Sequence, residues 1–145
     1  MDKNSFFWKI VEGKLPPPPC AKTLGLEFLQ IDGERGTVEV KFEAKPEFLN
    51  PAGNVQGGFL AAMLDDTMGP AVFMMTEGKL YTTTVSLTVN FLAPARPGRI
   101  TAEAKVTQLG KTIAFVEGKL TAEDGTLLAT ASVSARLLEA AKVMR

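Results

Sequence analysis

The chain has 145 residues, with sixteen basic and sixteen acidic side chains, a single cysteine and no histidine. That length makes one domain able to bury about two thirds of its unfolded surface, and the balanced charge, with no basic run, excludes an electrostatic footprint for nucleic acid or an anionic membrane. Without histidine, Ser-His-Asp and Cys-His nucleophile systems, HExxH zinc sites and imidazole bases are impossible within one chain, so any chemistry runs on carboxylates, hydroxyls, amides and backbone, with no metal and no cofactor expected.

Met1 to Trp8 is polar and then aromatic, without the apolar core and cleavage site of a signal peptide. No later apolar run approaches the length of a membrane span, so a cytoplasmic protein is expected. Asn4 to Gly13 reads as a short helix with Phe6, Phe7, Ile10 and Val11 on one side, stopped by the run Pro16 to Pro19. Such a helix either packs on the body or lids a site. Cys20 stands outside any CxxC pattern and has no imidazole to activate it, which makes it structural and fits a reducing compartment. Two strands follow, Leu24 to Ile31 and Gly36 to Ala44, joined by the Gly-rich turn Asp32-Gly33-Glu34-Arg35-Gly36. The second alternates Val38, Val40 and Phe42 against Thr37, Glu39, Lys41 and Glu43, which leaves one face wet.

After the loop Phe48 to Val55, a helix is expected from about Gln56 to Thr76. Phe59, Leu60, Ala61, Ala62, Met63, Leu64, Met68, Val72, Phe73, Met74 and Met75 leave it almost no polar stripe, so other elements must wrap it. Two acids, Asp65 and Asp66, nevertheless sit inside it. A carboxylate on an oily helix is costly unless hydrogen-bonded, paired or set at a polar cleft, while the helix's first N–H groups, after Gly57-Gly58, are free to bind an anion or oxyanion. One helix therefore offers a base and an oxyanion donor. Adjacent positions point about 100° apart, so Asp65 and Asp66 are not expected to face one small site together. Pro70 deprives the Asp66 carbonyl of its helical partner, and a kink is expected there, with the Asp66 carboxylate paired to a Lys, an Arg or backbone at an interface.

Strand patterns fill the rest. Tyr81 to Phe91 alternates Val85, Leu87, Val89 and Phe91 against Thr84, Ser86, Thr88 and Asn90; Gly98 to Leu109 alternates Ile100, Ala102, Ala104 and Val106 against Thr101, Glu103, Lys105 and Thr107. Lys111 to Ala122 and Thr126 to Leu138 are linked by Asp124-Gly125, a hairpin turn signal. Two strands, a buried helix and a meander of strands predict an α+β hotdog fold, a curved antiparallel β-sheet wrapped around a long central α-helix.

From Leu24 to Leu138 the chain resembles the PaaI-type acyl-CoA thioesterases, on the segment Asn50-Pro51-Ala52-Gly53-Asn54-Val55-Gln56-Gly57-Gly58, on Asp65, and on the later strand ending Val89-Asn90-Phe91-Leu92-Ala93-Pro94-Ala95. The resemblance implies two regions: an N-terminal helix and Pro-rich linker over 1–22, and a single hotdog thioesterase domain over 23–145. It makes Asp65 the catalytic acid, as general base or nucleophile, and Gly57 the backbone donor to the thioester carbonyl. Asn50 would place the water or the thioester, and Thr84 would reach the site from a neighbouring subunit. Gln56 stands where the family has His; it still donates and accepts hydrogen bonds but carries no proton near neutral pH. Gly58 and Phe59 fall at the substrate, and Phe59, Met63 and Phe73 are apolar candidates for an acyl pocket or for plain core.

A single curved sheet has open edges, so two subunits are expected to pair edge to edge with sites at the interface, and the resemblance implies a homodimer, often a dimer of dimers giving a homotetramer. Faces rich in Thr and Ser (Thr84, Ser86, Thr88; Thr130, Ser132, Ser134) are candidates to meet a second dimer. The expected partner is an acyl-CoA substrate, whose phosphates Lys79, Arg96 and Arg99 are placed to meet unless they are simple solvated surface. The alternatives are a non-catalytic acyl-CoA-binding hotdog protein, in which Gln56 marks lost activity, a hotdog hydratase, which would pair Asp with His, and a purely structural oligomer.

Overall fold

A computed structural model describes residues 5–144. Asn4, where the N-terminal helix was expected to begin, lies outside the described residues. The helix itself, α1 (Phe6–Val11), starts where the Ser5 hydroxyl accepts from the Trp8 N–H. An unexpected second helix, α2 (Pro19–Leu24), occupies the stretch expected to be linker and first strand. Proline at the first helical position is pre-set for a helix and loses no bond there, and Gly25, at φ 71°, closes α2 in the left-handed conformation. The first strand, β1 (Glu27–Asp32), begins later than its apolar pattern suggested, and β2 (Thr37–Ala44) follows it.

A short 3-10 turn at Pro46–Phe48 leads to the long helix α3 (Gly57–Met75), which runs on through Pro70. Then come β3 (Leu80–Phe91), β4 (Gly98–Leu109), β5 (Ile113–Ala122), β6 (Leu127–Glu139) and a terminal turn of helix, α4 (Ala140–Val143). The six strands form one antiparallel sheet in the order β1-β2-β4-β5-β6-β3, curled around α3 as the hotdog fold. Among the described residues, no helix is long and apolar enough to cross a membrane.

Small side chains let the helix sit close. Ala102, Ala104, Ala114, Ala129, Ala131 and Ala135 line the concave face, and a Cβ added at Gly118 would lie 3.3 Å from Met68 Sδ and 3.4 Å from Leu64 Cδ2. Against them α3 buries Leu60, Met63, Leu64, Met68, Ala71 and Val72, each worth roughly 1.5–3 kcal/mol for the larger side chains. Buried Thr67 satisfies its hydroxyl on the Met63 carbonyl at 2.7 Å. The wrapping is incomplete, however: Gly58, Ala62 and Asp65 remain exposed.

One irregularity re-aims the edge strand β3. Between Thr84 and Ser86 the register with β6 shifts, Thr84 facing Ala135 and Ser86 facing Ser134, so Val85 is an extra, bulged residue, 70% exposed. Simple alternation puts Thr84 beside Ser86 and Thr88 on the outer face. The bulge instead turns Thr82 and Thr84 inward, toward α3, because one inserted residue reverses the facing of everything before it.

Candidate active site

The start of α3 is built by its preceding loop. Asn50 Oδ1 accepts from the Ala52 and Asn54 N–H groups at 3.0 and 3.2 Å, and the Asn50 N–H donates to Asn54 O at 2.8 Å, which closes the turn. The Asn50 side-chain oxygen thus holds the loop. The Gln56 N–H donates to Phe48 O and its carbonyl accepts from the Phe59 N–H, but its exposed side chain makes no capping bond. The N–H groups of Gly57 and Gly58 have no acceptor within the helix. A Cβ at Gly57 would lie 3.1 Å from the Phe91 ring, which covers this end; Gly58 faces open space. The Phe59 ring stacks on Phe48 at 4.1 Å, and Met63 is fully buried, so neither lines the cavity described below, whereas Phe73 does.

Asp65 is a different kind of place. It is exposed on α3, and the Thr84 hydroxyl donates to its Oδ1 at 2.7 Å, a charge-assisted bond that fixes the carboxylate and leaves the other oxygen open. Thr84 therefore reaches Asp65 from the same chain, in contrast to the neighbouring-subunit origin the resemblance implied. Gly57 and Asp65 do not come together: eight residues of helix separate them by about 12 Å along the axis, too far for one thioester carbonyl to touch both.

Asp65 and Asp66 both line one cavity of about 480 Å³, which corrects the expectation that only one of them could face it. The 100° argument holds for a small site, but this cavity is broad, roofed by α1 and α2 and floored by α3, β1 and β3. Phe6, Phe7, Ile10, Ala21, Leu24, Leu26, Phe28 and Phe73 make its apolar walls; Thr82 and Thr84 join the two acids on the polar side. Phe7 holds the roof in place, its ring 5.6 Å from Phe28 and 5.0 Å from Phe73.

Within this chain the Asp66 carboxylate gains no Lys, Arg or backbone partner: its Oδ2 is buried with no hydrogen-bond partner among the described residues. Burial, and secondarily the charge of Asp65, push the Asp66 carboxyl up to about 6. Sequence reasoning offered α1 as a possible lid but missed Asp66 and Thr82 as cavity residues. The apolar side of α1 was the available signal for the roof; nothing marked Thr82.

The chain matches the thioesterase superfamily model over residues 52–129. A protein of Saccharolobus solfataricus, provisionally named as an esterase, is 32% identical over 110 residues, 76% of each chain. Among solved structures, a Ralstonia eutropha JMP134 protein, provisionally described as a thioesterase related to phenylacetic acid degradation, superposes with a TM-score of 0.84 at 36% identity, over 91% of this chain and 99% of its own. The E. coli PaaI protein from the phenylacetic acid degradation operon has the same fold, with a TM-score of 0.79 at 22% identity over 90% and 92% of the two chains.

Proposed function

The chain belongs to the thioesterase superfamily and is a thioester hydrolase of the PaaI type, and from that premise we propose that it cleaves acyl-CoA thioesters with Asp65 as general base. The observation that carries this reading is the Asp65 carboxylate, oriented by Thr84 and opening on an apolar cavity of acyl-chain dimensions. Asp65 takes a proton from water, and the water oxygen bonds to the thioester carbon. The carbonyl oxygen becomes an oxyanion, whose collapse breaks the C–S bond, and the proton on Asp65 passes to the departing thiolate. A free acid and a free thiol result.

The oxyanion needs a donor that Asp65's own helix cannot bring near. We assign it to the partner subunit's Gly57, whose N–H is unspent at a helix N-terminus and worth about 2.7–4 kcal/mol of transition-state stabilisation if well aimed. The fold supports this pairing. Strand β3 is a twelve-residue edge, long enough to need a cover. Two β3 strands paired antiparallel about a point between Leu87 and Thr88 would set Thr84 of one copy level with the partner subunit's Phe91. Thr84 holds Asp65 and Phe91 lies over Gly57, so each site would receive an acid from one subunit and a donor from the other. The exposed Gly58-Ala62-Asp65 stripe of α3 would be covered by the same step.

Coenzyme A is the proposed carrier. Exposed Arg96 and Arg99 follow Ala95, whose carbonyl accepts from the Val55 N–H at 2.8 Å, just ahead of the helix start. They would offer cations to the carrier's phosphates at the oxyanion end. Free-thiol release from aromatic and aliphatic acyl-CoA esters tests the reading: turnover by wild type that collapses in Asp65→Asn supports it. Binding without turnover across the panel would overturn it in favour of a non-catalytic acyl-CoA binder.

A further inference from the structure

The cavity holds one group that the proposed hydrolysis does not use. Asp66 lines it beside Asp65, its Oδ2 is buried and unpartnered, and the surrounding walls are rings and aliphatic carbons of Phe7, Phe28 and Phe73. A buried acceptor left without a donor costs free energy that a hydrocarbon of the same shape would not. Within the chain no Lys, Arg or backbone N–H supplies that donor among the described residues. A molecule that fills the cavity reaches the same walls and can supply it.

We propose that Asp66 is a specificity-determining residue, and that the acyl group of the substrate carries a neutral hydrogen-bond donor, a hydroxyl, that meets the Asp66 carboxylate within the cavity. This inference rests on the proposed acyl-CoA hydrolysis. The thioester carbon must sit against Asp65, and Asp66 is the next residue, turned about 100° around the helix toward the apolar interior. The hydroxyl therefore stands a few atoms from the thioester carbon rather than at the far end of a long chain. The terminal torsion of an aspartate is soft, so either oxygen can be aimed at the bound group. Burial against these walls, and secondarily the charge of Asp65, raises the Asp66 carboxyl, as expected of an acid facing hydrocarbon. A hydroxyl is preferred over an ammonium because the facing walls are hydrocarbon, which would leave a charged group partly unsatisfied.

Matched acyl-CoA pairs, identical except for one hydroxyl near the thioester, test this in wild type, Asp66→Leu and Asp66→Asn. Wild type is expected to prefer the hydroxylated member about 10- to 100-fold in kcat/KM, since sites built to hydrogen-bond a hydroxyl discriminate strongly. Asp66→Asn, which keeps an acceptor, retains a preference; Asp66→Leu, close in volume and free of the buried charge, reverses it while still turning over the unhydroxylated ester. Equal rates on the pair in wild type, or a preference that survives in Asp66→Leu, would overturn the inference. Should wild type hydrolyse nothing, the hydrolysis reading fails by itself. The affinities of matched non-hydrolysable thioether analogues for wild type and Asp66→Leu, by calorimetry, then decide the Asp66 inference: a preference for the hydroxylated analogue that Asp66→Leu abolishes upholds it, and equal affinities overturn it.

Discussion

The start and the middle of α3 solve opposite problems. At Gly57 and Gly58 the helix offers backbone: two N–H groups without helical acceptors, a capping residue whose side chain makes no bond, the Phe91 ring over Gly57 and open space at Gly58. At Asp65 and Asp66, two turns further on, the helix presents side chains, one carboxylate held by Thr84 and the other sealed under the roof of α1 and α2. In the proposed reaction the first is a donor without a base and the second a base without a donor. Since about 12 Å of helix lies between them, under the proposed hydrolysis a single chain would carry both halves of the site and complete neither.

The largest expected effect breaks the acidic end. Asp65→Asn should lower kcat by about 10²–10⁴-fold in a free-thiol assay with an unchanged thermal midpoint, since it removes general-base help and little packing. The donor end is next. Gly57→Pro deletes the N–H at a first helical position, where the Phe91 ring, 3.1 Å from an added Cβ, must shift slightly, and Gln56, at φ −60° and ψ 136°, already has the backbone that a following proline requires. About 10²-fold should be lost from kcat, with the helical circular-dichroism signal retained. Thr84→Val, which frees the Asp65 carboxylate to rotate, should cost about 10-fold in kcat and leave KM nearly unchanged.

The smallest effect separates the two acids. The carboxyl of Asp66 is raised from 3.8 to about 6, so the folded chain holds its proton more tightly than the unfolded chain. Ionising it destabilises the fold: the cost is absent below pH 3.8, grows between there and about pH 6, and is fully present above. Asp66→Asn should therefore be more stable than wild type by about 1–2 kcal/mol at pH 8, a figure reduced for the partial exposure of the side chain, and show no such gain at pH 3.5. Urea titrations at the two pH values measure it.

Much of this was legible from periodicity. The alternation of β2 and β4 and the apolar run of α3 placed those elements to within a residue or so, because strand and helix spacing are local properties. Three features were not local. The proline run concealed α2, since Pro19 starts that helix where a stop was expected. The bulge at Val85, which turns Thr84 onto Asp65, depends on pairing with β6 and leaves no mark in β3 itself. The shared cavity of Asp65 and Asp66 depends on a roof folded back from the N-terminus.

If a complete site takes its acid from one subunit and its donor from the other, two inactive variants should complement each other when mixed. Asp65→Asn and Gly57→Pro are each purified, mixed, and allowed to exchange subunits under mild denaturant before thiol release is measured. In a mixed dimer one site carries both lesions and the other carries neither, so about a quarter of the wild-type activity should return after full exchange. A mixture no more active than its components, with mixed dimers verified by native mass spectrometry, would rule out a site shared between subunits.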